Sequence, residues 1–202
     1  MKPVRKLSEE SAKTRDAILD ATETIMCEEG YAAVSSRRVA EKAGLKSKLV
    51  HYYFETMDEL FIAVYKRYEE GYLRQLEMLN PASPLRALWD LSVHPKRTTM
   101  SLEMIALSNH RKSIRKMIAQ TMEQMHKLQI AAIAKYIAKL GLDPKAYPPT
   151  VLSYLISGVA RILVTETAMG DTNRHAEVLA FAERFLKELE IKGRARVPVA
   201  QA

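Results

Sequence analysis

The sequence predicts an all-α fold of about nine helices. Apolar residues recur every three or four positions along nearly the whole chain, which is the period of an amphipathic helix. No segment alternates apolar and polar residues for long, as a half-buried strand would. Glycines and prolines mark the ends of most helical patterns. A break near residue 56, bridged by a long helix, divides the chain into two domains.

Short polar residues and glycines define the N-terminal helices. Ser35 is placed to cap the second helix, Gly30 and Gly44 are placed to end the first and second, and Thr56 caps the long helix. The predicted helices cover residues 11–29, 36–43, 47–54, 57 to about 79, 84–94, 99–108, 111–140, 150–169 and, after a cap at Asp171 or Thr172, up to 190. The expected domains are residues 1–56 with a basic N-terminal arm, residues 57–190, and a flexible tail over 191–202.

The composition is that of a globular protein. Of the 202 residues, 48% are hydrophobic and 27% are charged, which supplies a core and excludes a disordered chain. Charged residues interrupt the apolar stretches short of a membrane-spanning length, and the polar N-terminus lacks the apolar run of a signal peptide. The single cysteine, Cys27, cannot form an internal disulfide. We therefore expect a cytoplasmic protein with no membrane partner.

A net charge of +7 suits a nucleic-acid partner without locating its site. Residues 1–55 carry ten Lys and Arg against nine Asp and Glu, so they are nearly neutral. Within them, residues 35–53 carry five basic residues and one acidic residue, a local balance of +4. Most of the surplus lies at 81–146, with eleven basic and four acidic residues. Local patterning, rather than total charge, must therefore indicate the site.

Two short helices joined by a tight glycine turn are typical of a helix-turn-helix. In the second of them, Val50 and Phe54 are expected to face inward. At 100° per residue the opposite side carries Lys48 and Tyr52, flanked by His51. A cation, a phenol and an imidazole can contact phosphates and base edges in a major groove. The same pattern fits the solvated face of a small helical hairpin, so spacing alone leaves both interpretations open.

Motifs of enzyme chemistry are absent from the sequence. It has no phosphate-binding glycine loop, no HExxH motif, no paired cysteines and no nucleophile elbow. The five histidines share no spacing typical of metal ligands. We therefore expect no catalytic residues, no metal site and no cofactor.

The stretch from Ile18 to Leu60 contains Ile18-Leu19-Asp20-Ala21, Gly30-Tyr31, Ser35 before Val39-Ala40, Ala43-Gly44, and Tyr53-Phe54 followed by Asp58-Glu59-Leu60. In these elements it resembles the DNA-binding domain of the TetR family of bacterial repressors. Spacing and residue type agree along all three helices, over about residues 14–60, and beyond them the length and order of the helices are similar. The resemblance implies a three-helix DNA-binding domain with a helix-turn-helix, followed by a helical ligand-binding and dimerisation domain.

Carried over by position, the family's DNA contacts fall on nine residues of this chain. Three of them depart from the family pattern: Lys48 stands where glycine is usual, Leu49 where threonine or another small residue is common, and His51 where tyrosine is usual. The nine positions are Ser35, Ser36, Arg37, Lys46, Ser47, Lys48, Leu49, His51 and Tyr52.

Met57 is a fourth departure from the family pattern. It replaces a lysine that typically contacts phosphate at the start of the next helix. We expect the missing contact to be made by Lys48 or by the basic N-terminal arm of Lys2, Arg5 and Lys6.

Five of the ten methionines lie between residues 100 and 125. Flexible thioethers suit a pocket that adapts to an apolar ligand, and they also suit an ordinary core. We expect a small, mostly apolar effector in the second domain. Arg161 would pair either with an anionic group of that effector or with Glu166 or another chain's carboxylate. The predicted effector residues are Trp89, Met100, Met104, Met122, Met125, Tyr154 and Arg161.

The predicted helix over 150–169 is apolar nearly all round, which indicates that both of its faces are buried. A second copy of the chain can supply one covering, with the last helix as its partner in a four-helix contact across a two-fold axis. The predicted interface residues are Leu155, Val159, Ile162, Ala182, Phe185 and Leu189.

These observations predict a homodimeric, one-component transcriptional regulator. In this hypothesis it is a repressor of double-stranded operator DNA that a small effector releases. The alternative is a constitutive DNA-binding protein, or a helical interaction protein, without a small-molecule effector. An interaction protein would leave the outward Lys48, His51 and Tyr52 without a role.

Overall fold

The computed structural model describes residues 9–78 and 84–194, without the side chains of residues 77, 84, 190, 193 and 194. These residues form nine α-helices and one 3-10 turn and contain no strand, which confirms the all-α prediction. The basic arm at residues 2–6, the predicted turn and cap at 80–83 and the tail beyond 194 lie outside the described residues. The helices are α1 (Glu9–Glu29), α2 (Ser36–Lys42), α3 (Ser47–Tyr53), α4 (Met57–Glu77), α5 (Pro84–Ser92), α6 (Pro95–His110), α7 (Lys112–Lys139), α8 (Pro149–Ala168) and α9 (His175–Arg194), with the 3-10 turn at Tyr31–Ala33.

The predicted caps end and begin the N-terminal helices. Gly30 and Gly44 have φ angles of +84° and +69°, values that residues with a side chain rarely adopt. The Ser35 hydroxyl accepts the backbone N–H of Arg38 at 3.2 Å, and the Thr56 hydroxyl accepts that of Glu59 at 3.1 Å. Each hydroxyl thereby satisfies a backbone donor that has no partner within its helix.

Two helix starts differ from the sequence prediction. Pro95 begins α6 rather than merely ending the helix before it, because proline is favoured in the first helical turn, where its missing N–H costs nothing. The last helix begins at His175, beyond the expected caps at Asp171 and Thr172. It continues to Arg194, so residues 191–194, assigned to the tail from sequence, are helical.

The first of two compact units comprises residues 9–71 and 99–119. Two polar contacts hold the second segment in this unit: the Tyr31 backbone N–H donates to Glu103 Oε2 at 2.7 Å, and Arg111 and Ser113 both bond the Asp58 carboxylate. This compact unit extends beyond residue 56, and the functional domain boundary at that residue stays a prediction. The core of the unit includes Ile18, Leu19, Ile25, Met26, Val39, Val50, Leu60, Phe61, Met100, Met104, Leu107 and Ile114.

The second unit comprises residues 72–78, 84–98 and 120–194. Trp89 lies in its core, and an ion pair between Arg86 and Glu183 joins α5 to α9. The buried apolar residues of this core are Leu85, Leu88, Trp89, Ile133, Tyr136, Ile137, Leu140, Leu142, Leu152, Ile156, Leu163, Leu186 and Leu189.

Candidate nucleic-acid interface

Helices α2 and α3 form a hairpin whose inner side is fixed by burial. Val39 and Ala40 of α2 and Val50 of α3 are buried, and Phe54 is buried directly after α3. The turn between the helices closes through a hydrogen bond from the Leu45 N–H to the Ala40 carbonyl at 2.8 Å. With this side inward, the opposite side of α3 has only one direction left, toward solvent.

The outer side of α3 carries the residues expected from its periodicity. Lys48 and His51 are exposed, and Tyr52 is 67% exposed, whereas Val50 is only 1% exposed. The neighbouring Tyr53 turns back, because its hydroxyl lies 3.0 Å from Ser11 Oγ of α1. The rings of Tyr52 and Tyr53 meet edge to face at 5.1 Å, which supports Tyr52 in its outward position.

Not all cations of the hairpin are available to a nucleic acid. Arg38 forms ion pairs with Glu29 at 2.9 Å and with Glu41 at 3.3 Å, and Lys42 pairs with Glu28 at 3.0 Å. Hydrogen bonds to the Glu29 and Glu41 carboxylates raise the pKa of Arg38. These two cations fasten α2 to the end of α1 and are neutralised there.

Three cations of the same hairpin are exposed: Arg37, Lys46 and Lys48. Within the described residues no carboxylate pairs with any of them. Of the five basic residues counted over residues 35–53, these three therefore keep their charge free of a carboxylate partner. Sequence analysis missed this division, because the partners Glu28 and Glu29 precede the segment and no local pattern links them to Arg38 and Lys42.

The other predicted contact positions differ in accessibility. Ser35 and Ser47 are exposed, while Ser36 and Leu49 are half-buried. Ser35 already caps α2, so any contact with DNA would use a hydroxyl that is held in position by Arg38. Met57 is half-buried at the start of α4 and supplies no charge. The site thus has a basic and aromatic outer side on α3 and hydroxyls at the start of each hairpin helix.

Asp58, near the start of α4, joins the segment after the hairpin to the start of α7. The hydrogen bond from Ser113, together with Arg111, holds the pKa of its carboxyl below the ordinary value of 3.8. A group with a lowered folded pKa stabilises the fold above its unfolded pKa, and this contribution is lost as the pH falls through the folded pKa. We expect Asp58→Asn to flatten the decline in the free energy of unfolding below about pH 4, measured by urea unfolding over a pH series.

The control for this prediction is Asp90→Asn, at an exposed position of α5. Its pH profile of stability should match that of the unmodified protein. A profile of Asp58→Asn that runs parallel to both would contradict the proposed contribution of the Asp58 carboxylate.

Comparison with known proteins identifies the hairpin. The family model for bacterial regulatory proteins of the tetR family matches residues 18–64, which contain α2, α3 and the three exposed cations. In this segment the chain is similar to the DNA-binding domains of the TetR family. Two curated relatives are similar to part of the chain. The HTH-type transcriptional repressor NicS of Pseudomonas putida is 27% identical over 103 residues, 46% of this chain and 49% of NicS. The HTH-type transcriptional regulator AcrR of Shigella flexneri is 25% identical over 103 residues, 49% of this chain and 47% of AcrR.

The chain spans about half the length of the curated relatives that it matches. Solved structures extend the likeness of fold to most of it. A TetR transcription regulator from Haloarcula marismortui is 21% identical with a TM-score of 0.68, over 89% of this chain and 97% of that one. FadR from Bacillus subtilis, in complex with stearoyl-CoA, is 17% identical with a TM-score of 0.62, over 86% of this chain and 96% of that one.

The predicted effector residues are divided between the two units. Met100 and Met104 are buried in the first unit, whereas Trp89, Met122, Met125, Tyr154 and Arg161 belong to the second. Trp89 is buried in the core, and the ring of the exposed Tyr154 lies 5.4 Å from that of His126. The clustering of methionines in the sequence did not predict this division, because α6 and α7 each contribute residues to both units.

Of the partners considered for Arg161, Glu166 does not pair with it, and the effector and a second chain's carboxylate stay predictions. Glu166 instead accepts from His175 at 3.1 Å and faces Arg174 at 3.6 Å, and Arg161 is exposed. The physical reason is that the α8–α9 turn brings two nearer donors to the carboxylate.

A polar cluster that is not evident from the sequence lies inside the second unit. The buried Gln129 donates its side-chain N–H to the Tyr72 hydroxyl, and its carbonyl accepts from Ser153 at 3.2 Å. The Arg97 guanidinium stacks on the Tyr72 ring, 3.6 Å from its centroid. Burial raises the pKa of the Tyr72 phenol, with Arg97 opposing that effect, so the hydroxyl keeps its proton at neutral pH. No local pattern predicts the cluster, because its members come from α4, α6, α7 and α8.

The predicted dimer residues also differ in accessibility. Leu155 and Ile162 are 56% and 57% exposed, and Val159, Ala182 and Phe185 are half-buried. Leu189 is only 1% exposed within the core of its own unit, which corrects its assignment to a subunit interface. The structure adds Val151 of α8 and Phe181 of α9 to the exposed apolar residues.

Proposed function

We propose that the protein is a cytoplasmic, one-component transcriptional repressor that binds double-stranded operator DNA as a homodimer. A small, mostly apolar effector would lower its affinity for that DNA. The observation that carries the proposal is the set of three exposed cations without carboxylate partners, Arg37, Lys46 and Lys48, beside the outward His51 and Tyr52. Cations of this kind neutralise phosphates, and phenol and imidazole groups can bond base edges. The description of NicS as a repressor supports the direction of regulation.

Selection of genomic fragments by the purified full chain tests the DNA-binding part of this proposal. Two recognition helices related by a two-fold axis engage half-sites one helical turn apart, or about 34–36 Å. We expect the recovered fragments to share a pseudo-palindrome with that spacing, upstream of a small set of genes. Fragments without a common sequence, bound no better than unrelated DNA, would contradict the proposal.

An exposed apolar face supports the homodimer. Val151, Leu155 and Ile162 of α8 lie about one turn, and then two turns, apart on one side of the helix and are about half exposed. Phe181 of α9 is also exposed, with its ring stacked on that of Phe185. Apolar residues in contiguous exposure mark interaction surfaces in soluble proteins. A two-fold axis lets one such face cover its own copy.

By length and composition alone, α8 could also be interpreted as a membrane-spanning helix. Among the described helices, only Pro149–Ala168 is long and apolar enough to cross a membrane, and 33% of its most apolar stretch is buried. Its buried side holds Ser153 in a hydrogen bond with Gln129, and its exposed side carries Arg161. A helix packed on one side against its own chain and on the other against a second copy accounts for both sides.

The cluster around Tyr72 is our candidate for the polar end of the effector site. Buried polar groups within an apolar core fix the orientation of ligands in sites of this kind. Tyr72, Gln129 and Ser153 supply hydroxyl and amide donors, and Arg97 adds a cation next to them. A carboxylate or carbonyl at one end of an otherwise apolar molecule matches these donors. The stearoyl-CoA complex of FadR supports an apolar ligand in this fold.

Replacing Tyr72, Gln129 and Ser153 together by Phe, Leu and Ala should remove the response to the effector but little stability. When all partners of a buried network become apolar, no donor is left unsatisfied, so the free energy of unfolding changes little. The assay is thermal shift with aliphatic and aromatic carboxylic acids and their neutral hydrocarbon analogues. Acids should stabilise the unmodified protein and not the triple variant.

Arg161→Met is the matched comparison, since Arg161 is an exposed residue of α8 outside the Tyr72 cluster. It should leave stabilisation by the acids unchanged. Loss of acid binding in Arg161→Met, with the triple variant unaffected, would move the anionic end of the effector to Arg161. Absence of stabilisation by any compound, with DNA binding intact, would favour the constitutive DNA-binding alternative.

A further inference from the structure

The junction of α6 and α7 carries a basic segment within the first unit. From His110 to Lys116 the sequence contains four Arg and Lys residues and no acidic residue. Arg111, Lys112, Arg115 and Lys116 are all exposed. This segment accounts for a share of the positive surplus at 81–146, which the hairpin of α2 and α3 does not explain.

The segment is fastened to the start of α4, next to the hairpin. Arg111 and Ser113 bond the two oxygens of the Asp58 carboxylate, and the Arg111 guanidinium lies 5.4 Å from the centroid of the Phe61 ring. The His110 ring stacks on that of Tyr31 at 6.1 Å.

Asp58 follows the last residue of α3, Tyr53, by five positions, which span at most about 17 Å. This is about half of a helical turn of DNA, so one duplex can contact both elements.

The start of α7 has a fixed orientation. Ile114 and Ile118 are buried, so the side of the helix that they occupy faces the core. Lys112 and Lys116 each lie about 160° from Ile114 around the helix, and therefore point away from the core. They are four positions apart on the same side, where two like charges destabilise a helix.

The basic residues of the segment differ in their partners. Arg111 is neutralised by Asp58, and Arg115 bonds the Ser108 carbonyl at 3.2 Å and the Asn109 side chain at 3.3 Å. Lys112 and Lys116 have no carboxylate partner within the described part of the chain. A pair of outward lysines without counter-charges, held beside the start of α4, fits a row of phosphates. At that start Met57 supplies no cation.

We propose that Lys112 and Lys116 contact the DNA backbone flanking the bases that α3 contacts, as a second phosphate-binding surface of the first unit. This inference rests on the proposed function, since it assumes that α3 lies on DNA. Phosphate contacts fix the position of a protein on the duplex without specifying sequence. The two lysines therefore add affinity for any duplex and make little difference between one sequence and another.

The test compares three full-length proteins: the unmodified chain, Lys112→Gln/Lys116→Gln, and the control Lys135→Gln/Lys145→Gln. The control removes the same charge from two exposed positions of the second unit. Binding is measured over a series of KCl concentrations, on the best fragment from genomic selection and on an unrelated duplex. If both lysines contact phosphate, the plot of log K against log salt should become less steep. Its negative slope should lose about 0.9 in magnitude per lysine, or about 1.8 per subunit. The affinity should fall by the same factor on both duplexes, and the control should match the unmodified chain.

Two further arms make the outcome specific. Lys112→Arg/Lys116→Arg, which keeps both charges, should restore the salt slope. Trimming the fragment outside the half-sites should weaken the unmodified chain and leave the Gln variant unaffected. A slope for Lys112→Gln/Lys116→Gln equal to that of the control would overturn this inference and leave the proposed function standing. Failure of the unmodified chain to bind either duplex would instead overturn the proposed function.

Discussion

Lys48→Ala combined with Tyr52→Ala should abolish specific binding to the operator. Both side chains point outward from α3, and Lys48 has no carboxylate partner among the described residues. If Tyr52 contacts a base, its loss costs about 1–3 kcal/mol at each half-site, and a dimer has two half-sites. If Lys48 contacts phosphate, its loss weakens binding to every sequence and lowers the salt slope by about 0.9 per contact. Fluorescence anisotropy on the selected fragment and on unrelated DNA, at several salt concentrations, separates the two effects.

The controls for this experiment lie in the same unit. Lys66→Ala removes an exposed cation from the middle of α4 and should not change binding. Lys42→Ala removes a cation that pairs with Glu28 and should change stability slightly rather than the salt slope. Unchanged affinity in the Lys48 and Tyr52 double variant would remove the outer side of α3 from the DNA interface.

Leu155→Glu should convert the dimer into a monomer and thereby abolish operator binding. In a dimer covered through the apolar face of α8, the new carboxylate would be buried without a partner, which costs several kcal/mol in each subunit. Ile162→Glu should have the same effect, since Ile162 is equally exposed on the same side of α8. Sedimentation should show a species near the chain mass of 22.9 kDa for the variants and one of twice that mass for the unmodified protein.

Leu128→Glu is the matched control, because Leu128 is a 46% exposed leucine of α7 that lies outside the predicted interface. It should remain dimeric and bind DNA. A monomeric unmodified protein at micromolar concentration that still binds its operator would contradict the role assigned to this face. Dissociation by Leu128→Glu and not by Leu155→Glu would place the interface elsewhere.

Local chemistry made most of the fold predictable. Left-handed conformations at Gly30 and Gly44, and the hydroxyl caps of Ser35 and Thr56, depend on residues within one helical turn, so the sequence reveals them directly. Pro95 was ambiguous for the same reason, since a proline both ends one helix and begins the next. The burial pattern of α3 followed from its period alone.

Long-range pairing was beyond sequence reasoning. Arg38 and Arg37 are neighbours of identical chemistry, yet only Arg38 is neutralised, because the end of α1 places Glu29 against it. Leu189 has the helical spacing of an interface residue, but the same spacing serves the core, and only the packing of α9 decides between them. The Tyr72 hydroxyl and Gln129 are 57 positions apart, so no periodicity connects them.

Completion of the first unit by residues 99–119 limits how this gene can recombine. A crossover after residue 56 or 71 would transfer the hairpin of α2 and α3 without the Glu103 carboxylate that accepts the Tyr31 N–H, and without the buried Met104 and Ile114. In a chimeric protein made by a single N-terminal exchange, side chains of the recipient would complete the core of the first unit. Under the proposed function, exchange of operator specificity between relatives should therefore succeed when residues 9–71 and 99–119 are exchanged as a pair. Exchange of the first segment alone should succeed only where the recipient has an acidic residue and apolar side chains at the corresponding positions.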